Sequence, residues 1–321
     1  MEVWAVEYNP PQFTDQLYYK ALELLDHESQ TKIKKYYHRK DACRALVSKL
    51  LPRLLLLRNH GISPSEMRFD KTEANKPYIV TETVRSKIAY NISHDNDFIV
   101  MAFSERGPIP PAIPGVHPTA NEAGSIGIDV MKVALPGRHD TYSSFVRIFQ
   151  EQLTPLERNL LLAPPINPAL GLENFFWIWT LKEAYTKALG IGLGFDFSRV
   201  EFDLTSAAMQ GNGESKRKGD GGGIVRVDGK IPKGWKFTKF TRRVQRGEEN
   251  KEDFYVGVVA EYLGEDFDTI VVPHSLTEDT RETNDATDED RDGEYSWLKH
   301  LHATVFVQDA IRELHSSPSS S

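Results

Sequence analysis

The chain holds a single cysteine, Cys43, in 321 residues. An intrachain disulfide is therefore impossible, and a reducing interior, with the cytoplasm as default, is the expected compartment. Long apolar runs are missing too. LLPRLLLL at 50–57 is among the longest and falls far short of the roughly 20 residues that cross a bilayer. The N-terminus, MEVWAVEYNP, carries an early acid and alternates like a strand, unlike a signal or transit peptide. There is no basic excess: 39 Lys and Arg face 46 Asp and Glu, for a net charge of −7. Nucleic-acid binders more often carry a basic body, so neither nucleic acid nor membrane is an expected partner. No Walker-type or glycine-rich phosphate loop precedes a helix; GIGLG at 190–194 follows one instead.

What is present suits a globular protein. A hydrophobic share of 40% supplies a sizeable core in one large or two modest domains. The acidic bias is local: SLTEDTRETNDATDEDRDGE at 275–294 holds nine acids and two arginines, and without it the body is near neutral. That composition reads as a disordered segment. A strand, VWAVEY, opens the chain. A helical pattern follows from 12 to 59, which Pro52 is expected to kink or divide. Short strands come next at MRFD, KPYIV, IAYNIS and FIVMAF. A Pro/Gly-rich stretch at 106–125 reads as a hinge. The second half repeats the theme, with a strand at IGIDVMKV, helices at YSSFVRIFQEQL, PLERNLLL and NFFWIWTLKEAYTKAL, and strands at RVEFDL, GWKFTKFTRRV and DFYVGVVAEY.

The expected fold is α+β, with two pseudo-symmetric halves, each a mostly antiparallel sheet with helices. The boundaries are 1–115, 116–275 with a flexible insertion near 206–223, and 276–321 as a largely disordered acidic tail with a possible short C-terminal helix.

Four stretches carry chemistry. In WTLKEAYTKALGIGLG (179–194), helical spacing lines Trp179, Glu183 and Lys187 along one stripe, beside an apolar face of Trp177, Leu181, Ala184, Tyr185 and Ala188. An i,i+4 Glu–Lys pair on a solvated face is the plain reading. The FFWIW start argues instead for a buried helix, where a carboxylate needs a cation or metal. Strand alternation in SIGIDVMKV places Ile126, Ile128 and Val130 on one face, and Gly127, Asp129 and Met131 on the other. Asp129 is either a strand-end acceptor or a Mg²⁺ ligand, since hard cations take carboxylate oxygens. Asn91, Ser93 and His94 in NISH either cap a turn or form a phosphate pocket. The basic KIKKYYHRKDACR (32–44) is a solvated face or a polyphosphate cluster, with Arg44 next to an orienting acid.

In order, YHRKDACR, NKPY, NISH, GIDVMK, TPLE and WTLKEAYTKALGIGL resemble the Sfp-type 4′-phosphopantetheinyl transferases over roughly residues 30–194. The GIDVMK wording is similar to the eukaryotic branch that modifies aminoadipate reductase and fatty-acid synthase carriers. The resemblance implies a monomeric enzyme with coenzyme A between its halves. It implies Mg²⁺-dependent transfer of phosphopantetheine to a serine of apo carrier domains, a holo-acyl-carrier-protein synthase activity that leaves adenosine 3′,5′-bisphosphate. The implied carriers belong to fatty-acid synthase, aminoadipate reductase, and polyketide or peptide synthetases. By position, Asp129 and Glu183 resemble the metal ligands, with Glu183 also the general base and Lys187 the catalytic lysine beside the diphosphate. Arg44, Lys76, Ser93 and His94 resemble coenzyme A contacts, and Glu157 loosely matches a further acid. Lys182, off the stripe, is expected to pair with a surface acid or reach a phosphate. Bacterial relatives carry a second acid where this chain has Met131. A non-catalytic carrier- or coenzyme A-binding module with a degraded metal site is therefore the alternative. A small-molecule kinase is disfavoured by the missing phosphate loop.

Overall fold

The computed structural model describes residues 1–84, 88–105, 107–111, 113, 123–137, 141–165, 167–204, 223–246, 251–273 and 297–316. Strand β1 (Glu2–Glu7) has its four central residues buried. Three helices follow it: α1 (Asp15–Leu22), α2 (His27–Lys34) and α3 (Arg39–His60). Thr14 and Asp26 cap the first two by accepting the Leu17 and Ser29 backbone N–H groups. The long helical pattern is thus divided at these caps, and Pro52, expected to break it, lies inside an uninterrupted α3. Leu50, Leu51, Leu54, Leu55 and Leu56 are fully buried around that proline. Their packing outweighs the roughly 3 kcal/mol that a mid-helix proline costs.

A small hairpin of β2 (Phe69–Lys71) and β3 (Pro77–Ile79) precedes a long one of β4 (Ile88–Asp95) and β5 (Phe98–Glu105). The second half runs through β6 (Ile126–Lys132), α4 (Tyr142–Ile148), α5 (Pro155–Leu162) and α6 (Pro168–Leu189). It continues with β7 (Val200–Asp203), β8 (Ile224–Val227), β9 (Trp235–Arg246), β10 (Lys251–Tyr262) and β11 (Ile270–Val272). The chain then returns to the first half as β12 (Leu298–His302) and α7 (Ala303–Ser316).

The two four-stranded sheets share one pattern of strand directions, though the chain visits their strands in different orders. The first has the order β12-β1-β5-β4 and the second β11-β9-β10-β6. In each, one parallel edge pair (β12 on β1, β11 on β9) is followed by two antiparallel pairs. Each half also holds a 22-residue helix, α3 or α6, ended by a left-handed glycine, Gly61 or Gly190. The α+β, two-half expectation is met in this form. One apolar core lies between the first sheet and α1, α3 and α7, and another beneath α6. A third, of Val3, Ala5, Phe98, Val100, Ile126, Ile128, Val130 and neighbours, joins the two sheets. The alternation expected for β6 therefore holds, with Ile126, Ile128 and Val130 facing the first half.

The described part of the expected 276–321 tail belongs to the folded first half. Residues 298–302 pair in register with Val3–Glu7. Ala303, Phe306, Val307, Ala310 and Leu314 of α7 enter the first core. Arg58 of α3 fixes this helix with a two-pronged bond to Glu313, at 2.7 and 2.8 Å. The whole acidic run at 275–294, all of the 206–223 insertion except residue 223, and most of the 106–125 hinge lie outside the described residues.

Candidate active site

Strands β4 and β6 are the edges at which the two sheets meet, and side chains make the join. Asn91 Oδ1 accepts the Ile128 N–H at 3.0 Å, and Asp95 Oδ2 accepts the Lys132 N–H at 2.7 Å. Ser93 Oγ donates to Asp129 Oδ1 at 2.8 Å. Residues 91, 93 and 95 point one way along β4, as period-2 geometry requires. Asn91 and Asp95 satisfy backbone N–H groups on the edge of β6, while Ser93 reaches the Asp129 side chain. Asn91 and Ser93 thus lie within a strand and not at the turn where the sequence placed them; the turn follows at Asn96, φ 48°.

Helix α6 lies across β6 and adds the third wall. Asn167 caps its start, Pro168 occupies its first position and Gly190 ends it. The side chains four apart fall as expected: Trp179, Glu183 and Lys187 look into one cleft of about 310 Å³. Strand β4 contributes Ile92, Ser93 and His94 to this cleft, and β6 contributes Asp129 and Met131. Helix and strand approach closely because residue 127 is glycine. A Cβ there would stand 2.9 Å from the Lys187 carbonyl carbon and nearer still to Ala184 O and Ala188 N.

Charge in the cleft is unbalanced. Lys187 Nζ lies 2.6 Å from Asp129 Oδ1 and 3.0 Å from Ser93 Oγ, and donates to Ile128 O at 3.3 Å. Asp129 Oδ2 is buried with no hydrogen-bond partner among the described residues. Burial raises the Glu183 carboxyl above its ordinary value and the Asp129 charge adds to this, while Lys187 opposes both. Two converging carboxylates therefore share one ammonium. The orphaned oxygen and the destabilised glutamate are what a divalent cation would satisfy. Among the described residues no group of three or more His, Cys, Asp or Glu gathers.

At the lip of the cleft, His94 has an exposed edge. Desolvation of its ring, then Arg44 and Lys187, push the imidazole below its usual value. Arg44 donates to Asn96 O at 2.9 Å and pairs with Asp41, so its guanidinium is held beside the β4–β5 turn. Arg44 supplies a guanidinium and His94 an imidazole at this rim, donors suited to phosphate.

Two lysines depart from expectation. Lys76, expected to touch coenzyme A, is buried and donates to Gly124 O at 2.6 Å and Ala188 O at 2.9 Å. Lys182, expected near the surface or a phosphate, is fully buried and bonded to Glu157 Oε2 at 2.6 Å, Gln152 O at 2.9 Å and Phe197 O at 2.9 Å. Its partner Glu157 also accepts the Thr154 and Phe202 N–H groups. The pair ties α5, α6 and β7 together and does not open into the cleft. The seam role of Asn91 and Asp95 has a signal in the sequence, the alternation of polar residues at 91, 93 and 95.

Fold and cleft together define a class: a two-lobed α+β protein with acids and a lysine gathered in one cleft at the seam between its lobes. Family comparison makes the class specific. The family model described as "4′-phosphopantetheinyl transferase, N-terminal" matches residues 10–106, and the one described as "4′-phosphopantetheinyl transferase superfamily" matches residues 125–217. The chain is 41% identical over 268 residues to the 4′-phosphopantetheinyl transferase pptA of Paxillus involutus, covering 82% of this chain and 88% of that protein. It is 28% identical over 187 residues to the L-aminoadipate-semialdehyde dehydrogenase-phosphopantetheinyl transferase of Homo sapiens, covering 58% of this chain and 54% of that protein. For the 4′-phosphopantetheinyl transferase of Bacillus subtilis the values are 28% over 166 residues, 52% and 60%. The chain belongs to the 4′-phosphopantetheinyl transferase family.

Proposed function

We propose that this transferase moves the phosphopantetheine group of coenzyme A onto a serine hydroxyl of an apo carrier domain, in the cleft between its halves. The observation that carries the reading is the meeting of Asp129 and Glu183, 54 positions apart in the sequence, in one cleft with Lys187 and His94. The carrier serine loses its proton to Glu183, directly or through water. The serine oxygen forms a bond to the β-phosphorus as the bond to the bridging oxygen breaks, and adenosine 3′,5′-bisphosphate departs with the α-phosphate. Lys187 stabilises charge on the diphosphate oxygens, and His94 with Arg44 receives phosphate at the rim. Phosphoryl transfer of this kind asks mainly for positioning and charge neutralisation.

Asp129 and Glu183 would hold a Mg²⁺ ion, which when bound neutralises diphosphate charge. Ser93 acts by orienting Asp129. The resemblance to the human aminoadipate-semialdehyde dehydrogenase transferase supports carriers of lysine biosynthesis, with those of fatty-acid, polyketide and peptide synthesis as further candidates. A monomer in the cytoplasm, with its one thiol buried, completes the proposal. The test is incubation with coenzyme A, Mg²⁺ and a panel of apo carriers, read by mass spectrometry. One phosphopantetheine gained per carrier is the expected result. No gain on any carrier, with coenzyme A still bound, would leave a binding module in the enzyme's place.

A further inference from the structure

Lys76 ends the tight turn between β2 and β3. Asn75 adopts φ 65° there, and the Lys76 N–H is held by Thr72 Oγ1 at 3.1 Å. The side chain leaves the first half and enters the second. Its ammonium binds Gly124 O, two residues before β6, and Ala188 O, in the last turn of α6. Those are the two elements that carry the cleft's acids: Asp129 on β6 and Glu183 on α6. Ala188 is also the neighbour of Lys187.

The chemistry of this contact is that of a clamp. The last carbonyls of a helix have no partner within it and present partial negative charge. At the end of α6, Thr186 O and Lys187 O take the Gly190 N–H, and Lys76 supplies the donor for Ala188 O from outside the helix. Burial pushes the lysine's pKa down to about 7. The contact nonetheless survives loss of the proton, because a neutral amine still offers two N–H groups to two carbonyls. A phosphate ligand would need an open path to solvent, and the buried Lys76 has none.

We propose that Lys76 is a positioning residue, a latch from the first half that fixes the start of β6 and the end of α6 so that Asp129, Glu183 and Lys187 keep their mutual placement. This rests on the transfer reaction proposed above, and wild-type labelling of an apo carrier tests that reaction separately. If wild type does not label, the reaction is wrong. If it labels, the variants below judge the latch alone.

Two measurements decide. In wild-type protein, lysines are acetylated with a water-soluble reagent, with and without coenzyme A, and the modified peptides are mapped. A latch leaves Lys76 unmodified in both samples. Modification in free protein that coenzyme A blocks, or modification in both samples, overturns the proposal. In the second, Lys76→Met and Lys76→Gln are assayed by carrier labelling per folded molecule. Lys76→Met should lower kcat ten- to a hundredfold, with KM for coenzyme A within threefold of wild type and half-saturation by Mg²⁺ shifted to higher concentration. Lys76→Gln keeps two N–H donors without the charge and should recover part of kcat. A tenfold or larger rise in KM for coenzyme A at unchanged kcat would make Lys76 a substrate contact. Loss only in proportion to the unfolded fraction would make it structural. Either result refutes the latch, and if neither variant folds the acetylation map decides alone.

Discussion

Glycine 127 offers a test of how finely the cleft is set. In Gly127→Ala the new methyl would meet three backbone atoms of α6: Ala184 O, Ala188 N and the Lys187 carbonyl carbon, the last at 2.9 Å. Side-chain Cβ atoms essentially never lie within 3.0 Å of another heavy atom. All three are main chain, so no rotamer change relieves the clash and the helix must withdraw by about 1 Å. Overpacking of this kind costs about 1–3 kcal/mol of stability. The functional cost is larger, because Glu183 and Lys187 ride on that helix while Asp129 stays on the strand. Misplacement by about 1 Å is worth a rate loss on the order of a hundredfold. The assay is carrier labelling at saturating coenzyme A, alongside thermal unfolding by circular dichroism. The expected variant is folded, melts several degrees lower and turns over about a hundred times more slowly. Wild-type turnover together with a wild-type melting temperature would refute the claim that contact between α6 and β6 sets the site.

Asp129→Asn removes one of the two cleft carboxylates and should abolish carrier labelling while circular dichroism stays unchanged; near-normal labelling would remove Asp129 from the site. The Glu183 carboxyl of metal-free protein, followed by NMR, should titrate above the ordinary glutamate range, because burial and Asp129 both favour its protonated form. Mg²⁺ favours the ionised form, so adding it should move the midpoint to lower pH, and an unmoved midpoint would argue against metal binding there. For His94→Ala, KM for coenzyme A should rise about tenfold, in line with a lost charge-assisted hydrogen bond. Wild-type affinity should strengthen as pH falls through the depressed histidine pKa, whereas the variant should show no such limb. Lys182→Met leaves Glu157 buried without its cation and should cost about 3–5 kcal/mol in urea unfolding. Adding Glu157→Gln should restore part of that loss, and strict additivity would mean that the two do not interact.

The legible parts of this molecule were those written at short range. Trp179, Glu183 and Lys187 share a helix face by spacing alone, and Asp129 opposes Ile128 and Val130 by strand alternation. Both patterns survive in the structure because each is a local periodicity that tertiary packing had no reason to overturn. What escaped depends on distant partners. Lys76 and Lys182 look like any surface lysines, and only the carbonyls and the acid that meet them, up to 112 positions away, make them interior. Pro52 reads as a break until the leucines around it are seen to be buried. Ser93 reads as a turn residue until β6 arrives beside it. The pairing of β12 with β1 joins opposite ends of the chain, and no window of sequence contains both.

That pairing governs how the protein can be made. The first lobe lacks a strand and a helix until residues 298–316 have left the ribosome, although its other elements are synthesised first. Until then β1 presents an open edge, and the sites for Phe306, Val307 and Leu314 stand empty on α1 and α3. A nascent chain must therefore wait with its earliest lobe unfinished, exposed to strand addition by neighbours. Any message truncated before residues 298–316 would yield a product with both sides of the seam encoded and no means of closing the lobe that holds one of them.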